Sequence, residues 1–313
     1  MEPIIVIVGP TASGKTRLSI ELARLIDASI VSADSMQVYK YMDIGTAKPD
    51  KEEMSGIKHY MIDEAYPDEK FSVAKYRELA LGYIKKINEE GKRAIVVGGT
   101  GLYINSLVYN IDFAETVCDE GFRETLKKEA AEKGNRFLHE KLKEIDPEAA
   151  ARIHENDLKR IIRAIEVYTY TNKPISEHSR MSRLKPPPYR FLLFGLNWER
   201  QKLYERINKR VDMMLEKGLT EEVERLVKMG YDKGPTAMQG IGYKEVLGYI
   251  RGERTLEETV NLLKQNTRRY AKRQMTWFRR MKEINWIDVD EDSDFRALAE
   301  KIVQECIATH GII

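Results

Sequence analysis

Gly9-Pro10-Thr11-Ala12-Ser13-Gly14-Lys15-Thr16, entered from Ile4-Ile5-Val6-Ile7-Val8 and left through Leu18, Ile20, Leu22, Ala23 and Leu25, decides the fold. An unbroken apolar pentapeptide reads as a buried strand, and the apolar spacing after Thr16 as a helix, so the order is strand, phosphate loop, helix. The glycine spacing lets successive backbone N–H groups turn inward around a phosphate, while Lys15 reaches its far oxygens and Thr16 faces Mg²⁺. Phosphate binding is the first expectation. The fold class expected around it is α/β: a P-loop NTPase-like parallel sheet flanked by helices, with an inserted all-helical domain.

Two further stretches lead to the same sheet edge. Ser29 to Ala33 is short and partly apolar and ends at Asp34-Ser35, as a second parallel strand would. The polar, turn-rich segment from Met36 to Pro49 reads as a long functional loop, and His59 to Asp63 as a further short strand. Ser72 is placed to cap a crossover helix that Gly91 ends, and Arg93 to Val97 is a buried strand leading to Gly98-Gly99-Thr100-Gly101. Three strand ends converge, as in the crevices of open α/β sheets.

From about Thr116 the texture becomes helical and rich in Lys, Glu and Ala, until Pro186-Pro187-Pro188 closes the segment. Phe191 to Leu196 then reads as a strand returning to the sheet. Residues 1–115 and 189–313 are therefore expected to form the core, and 116–188 the helical insertion. Helices follow over Glu199 to Leu226, Ile241 to Tyr249 and Leu256 to Met281, with a last strand near Trp286 to Val289.

The 313 residues, 42% of them hydrophobic, suffice for one large or two medium domains. A net charge of +2 says nothing against nucleic acid, because clustering of the basic residues is what matters. They cluster in two places. Arg152, Lys159, Arg160, Arg163, Lys173, Arg180, Arg183 and Lys185 lie in the insertion; Lys264, Arg268, Arg269, Lys272, Arg273, Arg279, Arg280 and Lys282 surround Tyr270, Trp277 and Phe278. Interleaved aromatics beside a phosphate site favour nucleic acid over a solvated helix face. Cys118 and Cys306 stand alone, so neither a disulfide framework nor a zinc site is indicated and a reducing cytosol fits. With no apolar run of membrane length and a strand starting at once, a cytoplasmic protein without signal peptide, membrane association or obligate protein partner is expected.

Phosphate loops serve motors, GTPases and small-molecule kinases alike, and the second acidic group discriminates. The Ile95-Val96-Val97 strand ends in glycines where a motor ATPase carries Asp, leaving Asp34 as the acid at a strand end beside the loop. Asp34 there orients metal-bound water, takes a proton from a nucleophile, or simply holds a turn. An ATP-binding kinase and a non-catalytic RNA-binding protein remain as rivals at this point.

The chain closely resembles the tRNA dimethylallyltransferases, or tRNA isopentenyltransferases. The resemblance lies in Gly9 to Thr16, Asp34-Ser35-Met36-Gln37-Val38-Tyr39, Gly45-Thr46-Ala47-Lys48-Pro49, Gly98 to Tyr103, Asn156-Asp157 with Arg160 and Arg163, Gly240 to Glu245, and Arg269 to Gln274 before Trp277-Phe278-Arg279. It implies transfer of a dimethylallyl group from dimethylallyl diphosphate to N6 of the adenosine 3′ of the anticodon, with Mg²⁺ and release of diphosphate. The insertion would grip the tRNA anticodon stem-loop. Asp34 would be the proton acceptor, with Thr100 and Lys15 beside the reacting centre; Gly9 to Thr16 and Arg210 would hold the diphosphate, and Thr16 the metal. Contacts to tRNA would come from Asp34, Ser35, Met36, Gln37, Arg123, Lys159, Arg160, Ile161, Ile162, Arg163, Gly240, Gly242 and Arg273. The zinc finger of some eukaryotic members is missing, which suits the bacterial form.

Overall fold

The computed structural model describes residues 3–111 and 119–311. Cys118 and the expected domain boundary at 115/116 lie outside them. Two compact units divide the chain, one of residues 1–105 with 189–313 and one of Ser106–Pro188. The second unit thus begins at Ser106, earlier than the sequence texture suggested.

The first unit is built on six parallel strands: β1 (Ile4–Val8), β2 (Ala28–Ser32), β3 (His59–Tyr60), β4 (Arg93–Gly98), β5 (Phe191–Trp198) and β6 (Ile284–Val289). Their spatial order is β3-β2-β4-β1-β5-β6. β1 is central, with Ile5 opposite Ile95 on one side and Leu192 on the other. All five β1 residues are buried, which is why its sequence is apolar without alternation. The edges differ: β3 is two residues long, and β6 leaves half its positions exposed, both of which blunt pairing with other chains.

Helix α1 (Lys15–Leu25) leaves the phosphate loop and buries Leu18, Ile20, Leu22 and Ala23. These pack with Ile7, Ile30, Phe194 and Leu196 of the sheet and with Phe295, Ala299 and Ile302 of the C-terminal helix (Phe295–His310). Each such aliphatic side chain contributes about 1.5–3 kcal/mol of burial free energy. The short α2 (Lys51–Met54) is closed by an Asp50–Glu53 capping box. The crossover helix α3 (Val73–Glu89) is capped by Ser72 as expected and buries Tyr76, Ala80, Ile84 and Ile87; α4 (Gly101–Val108) follows β4.

The second unit carries α5 (Glu120–Lys133), α6 (Asn135–Ile145), α7 (Pro147–Arg152), α8 (Leu158–Thr171) and α9 (Ile175–Leu184). Asp119, Asp146 and Asp157 each accept a backbone N–H at a helix start. Leu126, Leu138, Leu142, Ile161 and Ile165 form its core.

Back in the first unit, the single helix expected over Glu199 to Leu226 is two: α10 (Arg200–Glu216) and α11 (Leu219–Lys228). Gly218, at φ +93°, turns the chain through the left-handed region and ends the first. Helices α12 (Tyr243–Ile250) and α13 (Leu256–Phe278) precede β6, and the C-terminal helix is α14. Among the described residues no helix is long and apolar enough to cross a membrane.

Candidate functional site

The carboxyl ends of β1, β2 and β4 open on one cavity of about 390 Å³, a size suited to a small ligand. Thr11, Lys15 and Thr16 enter it from the phosphate loop, Asp34 to Gln37 from β2, and Gly98 and Gly99 from β4. Gly240, Gly242, Arg210 and Arg273 also line it, so elements distant in sequence meet there. β2 and β4 come so close that a side chain at Gly98 would run into the Ala33 carbonyl. The Ala33 N–H donates to Val97 O at 2.7 Å, and the Thr100 N–H to Ala33 O at 3.1 Å.

The phosphate loop is held from outside by three side chains. Gln274 of α13 accepts the Thr11 N–H through Oε1 at 2.9 Å and donates from Nε2 to Gly99 O at 2.9 Å, joining the two glycine-rich turns. Trp198 donates its indole N–H to Ser13 O at 2.9 Å. Arg206 donates from Nε to Ala12 O at 3.0 Å, its guanidinium lying 4.3 Å from the Trp198 ring centre. These contacts hold Ala12 at φ +63° and Gly14 at φ +93°, the conformation that turns the loop amides inward.

Two cations stand in this cradle without a direct ion pair. Lys15 donates to Pro10 O at 2.7 Å, and Arg210 from Nη1 to Thr11 Oγ1 at 3.4 Å; among the described residues neither forms an ion pair. Burial first, then the Arg210 charge, lower the Lys15 ammonium to about 7 against an opposing pull from Asp34. Burial likewise lowers Arg210, and Asp34 opposes it. An incoming diphosphate would relieve both.

Asp34 ends β2 in an Asx turn, its Oδ1 accepting the N–H groups of Met36 at 2.8 Å and Gln37 at 3.3 Å. That contact fixes the carboxylate and leaves Oδ2 without a hydrogen bond among the described residues. Thr100 Oγ1 accepts the Ser35 N–H at 3.0 Å, locking the turn to the β4 end. Burial, then the Asp34 charge, push the Tyr270 phenol in the cavity wall far upward, keeping it a hydroxyl donor.

Other expected residues lie elsewhere. Ile161 and Ile162 are 0% and 4% exposed and pack in the second unit's core. Arg123 is bidentate to the Glu166 carboxylate at 2.7 and 2.8 Å, and Arg163 donates to the same carboxylate at 2.6 Å. Burial alone would raise Glu166, but these two guanidinium groups hold it below the usual range. Lys159 is exposed, and Arg160 keeps only a 3.3 Å pair with Asp157 on the surface. In the C-terminal cluster Phe278 is wholly buried, which removes it from the expected aromatic surface.

Gln274, Arg206 and Trp198 were not expected in the site. Arg206 had a sequence signal, since it precedes Arg210 by one helical turn and shares its face, and Gln274 closes the Arg269–Gln274 motif.

The IPP transferase family model matches residues 37–281, starting just beyond Asp34. The chain is 62% identical to the tRNA dimethylallyltransferase of Acetivibrio thermocellus over 100% of its own length and 99% of the relative's. It is 54% identical to that of Caldanaerobacter subterraneus subsp. tengcongensis, covering 96% of each. Among solved structures it resembles the tRNA isopentenylpyrophosphate transferase of Bacillus halodurans, with a TM-score of 0.72, 42% identity and 97% of each chain covered. It also resembles a eukaryotic dimethylallyltransferase acting on tRNA, with a TM-score of 0.82, 27% identity, and coverage of 100% of this chain and 81% of that one. The sheet is accordingly the P-loop NTPase-like one of these neighbours, and the kinase and non-catalytic readings fall away. The chain belongs to the IPP transferase family and is a prenyltransferase enzyme.

Proposed function

We propose that this prenyltransferase moves a dimethylallyl group from dimethylallyl diphosphate to N6 of the adenosine 3′ of the anticodon in tRNA, releasing diphosphate. The observation that carries the reading is one cavity lined by two cations without a direct ion pair, Lys15 and Arg210, and by a carboxylate with an open oxygen, Asp34. An allylic diphosphate leaves with growing negative charge, and the loop amides, Lys15 and Arg210 stabilise that charge where it develops. The adenine N6 becomes acidic only as it bonds to carbon, and Asp34 Oδ2 accepts its proton then. Drawing the base out of a single-stranded loop costs less than drawing it from a duplex, which suits an anticodon loop.

Mg²⁺ fits the donors present. No group of three His, Cys, Asp or Glu side chains forms a metal cage among the described residues, but Mg²⁺ binds through one or two protein groups with substrate phosphates and water. The Thr16 hydroxyl is the group that would hold it, and the ion would neutralise charge on the leaving diphosphate. Lys159, Arg160 and the cavity-lining Arg273, Gly240 and Gly242 are the positions proposed to meet tRNA.

Incubation with tRNA and dimethylallyl diphosphate, followed by mass spectrometry of the nucleosides, should show one prenyl mass added to an adenosine. Consumption of a nucleoside triphosphate with no prenylated nucleoside would overturn the reading.

A further inference from the structure

Glu222 is a buried carboxylate outside the reaction chemistry described so far. It sits on α11, is 2% exposed, and takes four hydrogen bonds. Oε2 accepts the N–H groups of Asp43 at 3.0 Å and Ile44 at 2.9 Å; Oε1 accepts the Gly45 N–H at 3.1 Å and the Tyr243 hydroxyl at 2.7 Å. Three consecutive amides thus close around a protein carboxylate as they would around a bound anion. Its nearest cation, Arg225, stands 4.0 Å away on the surface side, so the amides and the phenol carry its solvation.

The loop held this way forms part of the cavity wall. Gly45, Thr46, Ala47 and Pro49 line it from one segment, and Gly240 to Gly242, immediately before Tyr243, from another. Gly45 lies against the Tyr243 ring so closely that a Cβ there would stand 2.6 Å from two ring carbons. Glu222 therefore ties both wall segments together. The loop in turn holds Gln37, whose Nε2 donates to Thr46 O at 3.4 Å and Ala47 O at 3.1 Å. The Gln37 N–H is one of the two donors that fix Asp34 Oδ1.

We infer that Glu222 is a positioning residue for the acceptor base: its carboxylate holds the loop 43–47 and the Gly240–Tyr243 segment as one wall, and through Gln37 sets the orientation of Asp34. The inference rests on the proposed tRNA reaction. It assigns Glu222 no contact with substrate. The diphosphate cradle is built on other elements, by Gln274, Trp198 and Arg206, so losing Glu222 should disturb acceptor turnover and spare the donor.

Glu222→Gln keeps the shape but puts an amide donor against N–H or O–H donors, and Tyr243→Phe removes only one of the four bonds. Hydrogen bonds to a charged group of this kind correspond to about a 10- to 100-fold effect. Glu222→Gln should lower kcat/KM for tRNA by that factor, Tyr243→Phe by less, with Glu222→Asp recovering part of the loss. The Kd of a non-reactive dimethylallyl diphosphate analogue should stay within two-fold in all three, and amide exchange at residues 43–45 should speed up in Glu222→Gln. If Glu222→Gln does not fold, Tyr243→Phe and Glu222→Asp decide. Unchanged kcat/KM in folded variants, or donor affinity falling in step with acceptor turnover, overturns the inference. An inactive parent chain would instead overturn the proposed reaction, and the exchange data would still report on the clasp.

Discussion

Lys15 should take up a proton when a prenyl diphosphate binds. Its ammonium lies at about 7, lowered by burial and by Arg210. At pH 8, one unit above that value, about nine-tenths of the protein carries neutral Lys15, whereas a bound diphosphate beside it favours the charged form. The ligand itself takes up little, because the last ionisation of a phosphate of this type lies near pH 6. Binding at pH 8 should therefore draw about 0.9 proton from the buffer. Linkage gives the same sign in the affinity: protonated Lys15 is the binding form, so the association constant should fall about 50-fold between pH 7 and pH 9. Titration calorimetry with a non-reactive analogue, in buffers of different ionisation enthalpy, reads the proton count as a slope. Lys15→Met supplies the background. A slope near zero at pH 8, or equal slopes for parent and Lys15→Met, would show that Lys15 is already charged in the free protein and that the cradle is not a site of uncompensated cations.

Asp34→Ala should slow single-turnover prenyl transfer by about 10²–10⁴ while tRNA affinity changes only a few-fold, since the lost interaction belongs to the transition state. Equal losses in binding and rate would reassign Asp34 to positioning. Arg123→Ala should destabilise the protein by about 1–3 kcal/mol in thermal or denaturant unfolding, because Glu166 keeps Arg163 but loses a bidentate partner. The held-down Glu166 carboxyl gives this contribution a sign in pH: it is present above the ordinary glutamate range and lost as pH falls through the lowered value. Unchanged stability with weakened tRNA binding would return Arg123 to the RNA surface.

The strand ends and the phosphate loop were legible because their signals are local: an apolar run, then residues whose spacing serves one geometry. The direction of the strands and the return of β5 to the sheet followed from the same runs. Glu222 and Gln274 were not legible in this way. Gln274 reaches Thr11 across 263 positions and Gly99 across 175, and no periodicity in α13 distinguishes a glutamine that satisfies two backbone atoms from one that faces water. Glu222 reads as one of several acids on an amphipathic helix until its partners come from residues 43–45. The basic run around residue 160 contained two isoleucines at the core-facing positions of α8, which a helical reading of Asp157 onward separates from the exposed Lys159 and Arg160. Gly218 was visible as a glycine inside a long helical pattern, but only its φ of +93° shows that the helix stops there.

The central position of β1 has a consequence for how the chain is made. Of the described strands β1 is made first; it gains β4 on one side from residues 93–98, and waits for β5 at 191–198 on the other. At ordinary rates of synthesis that interval is roughly 10–40 s, during which an apolar strand edge stands unpaired. The phosphate loop waits longer, since Trp198 and then Gln274 must arrive before Ser13 O and the Thr11 N–H gain the partners that hold them. Helix α1 can form early from local sequence, but the loop beside it acquires its anion-binding shape only once α13 has been made. Unfinished chains that stop short of α13 therefore carry the phosphate-loop sequence without a formed anion site, so partial products would not take up the phosphate ligands of the finished protein.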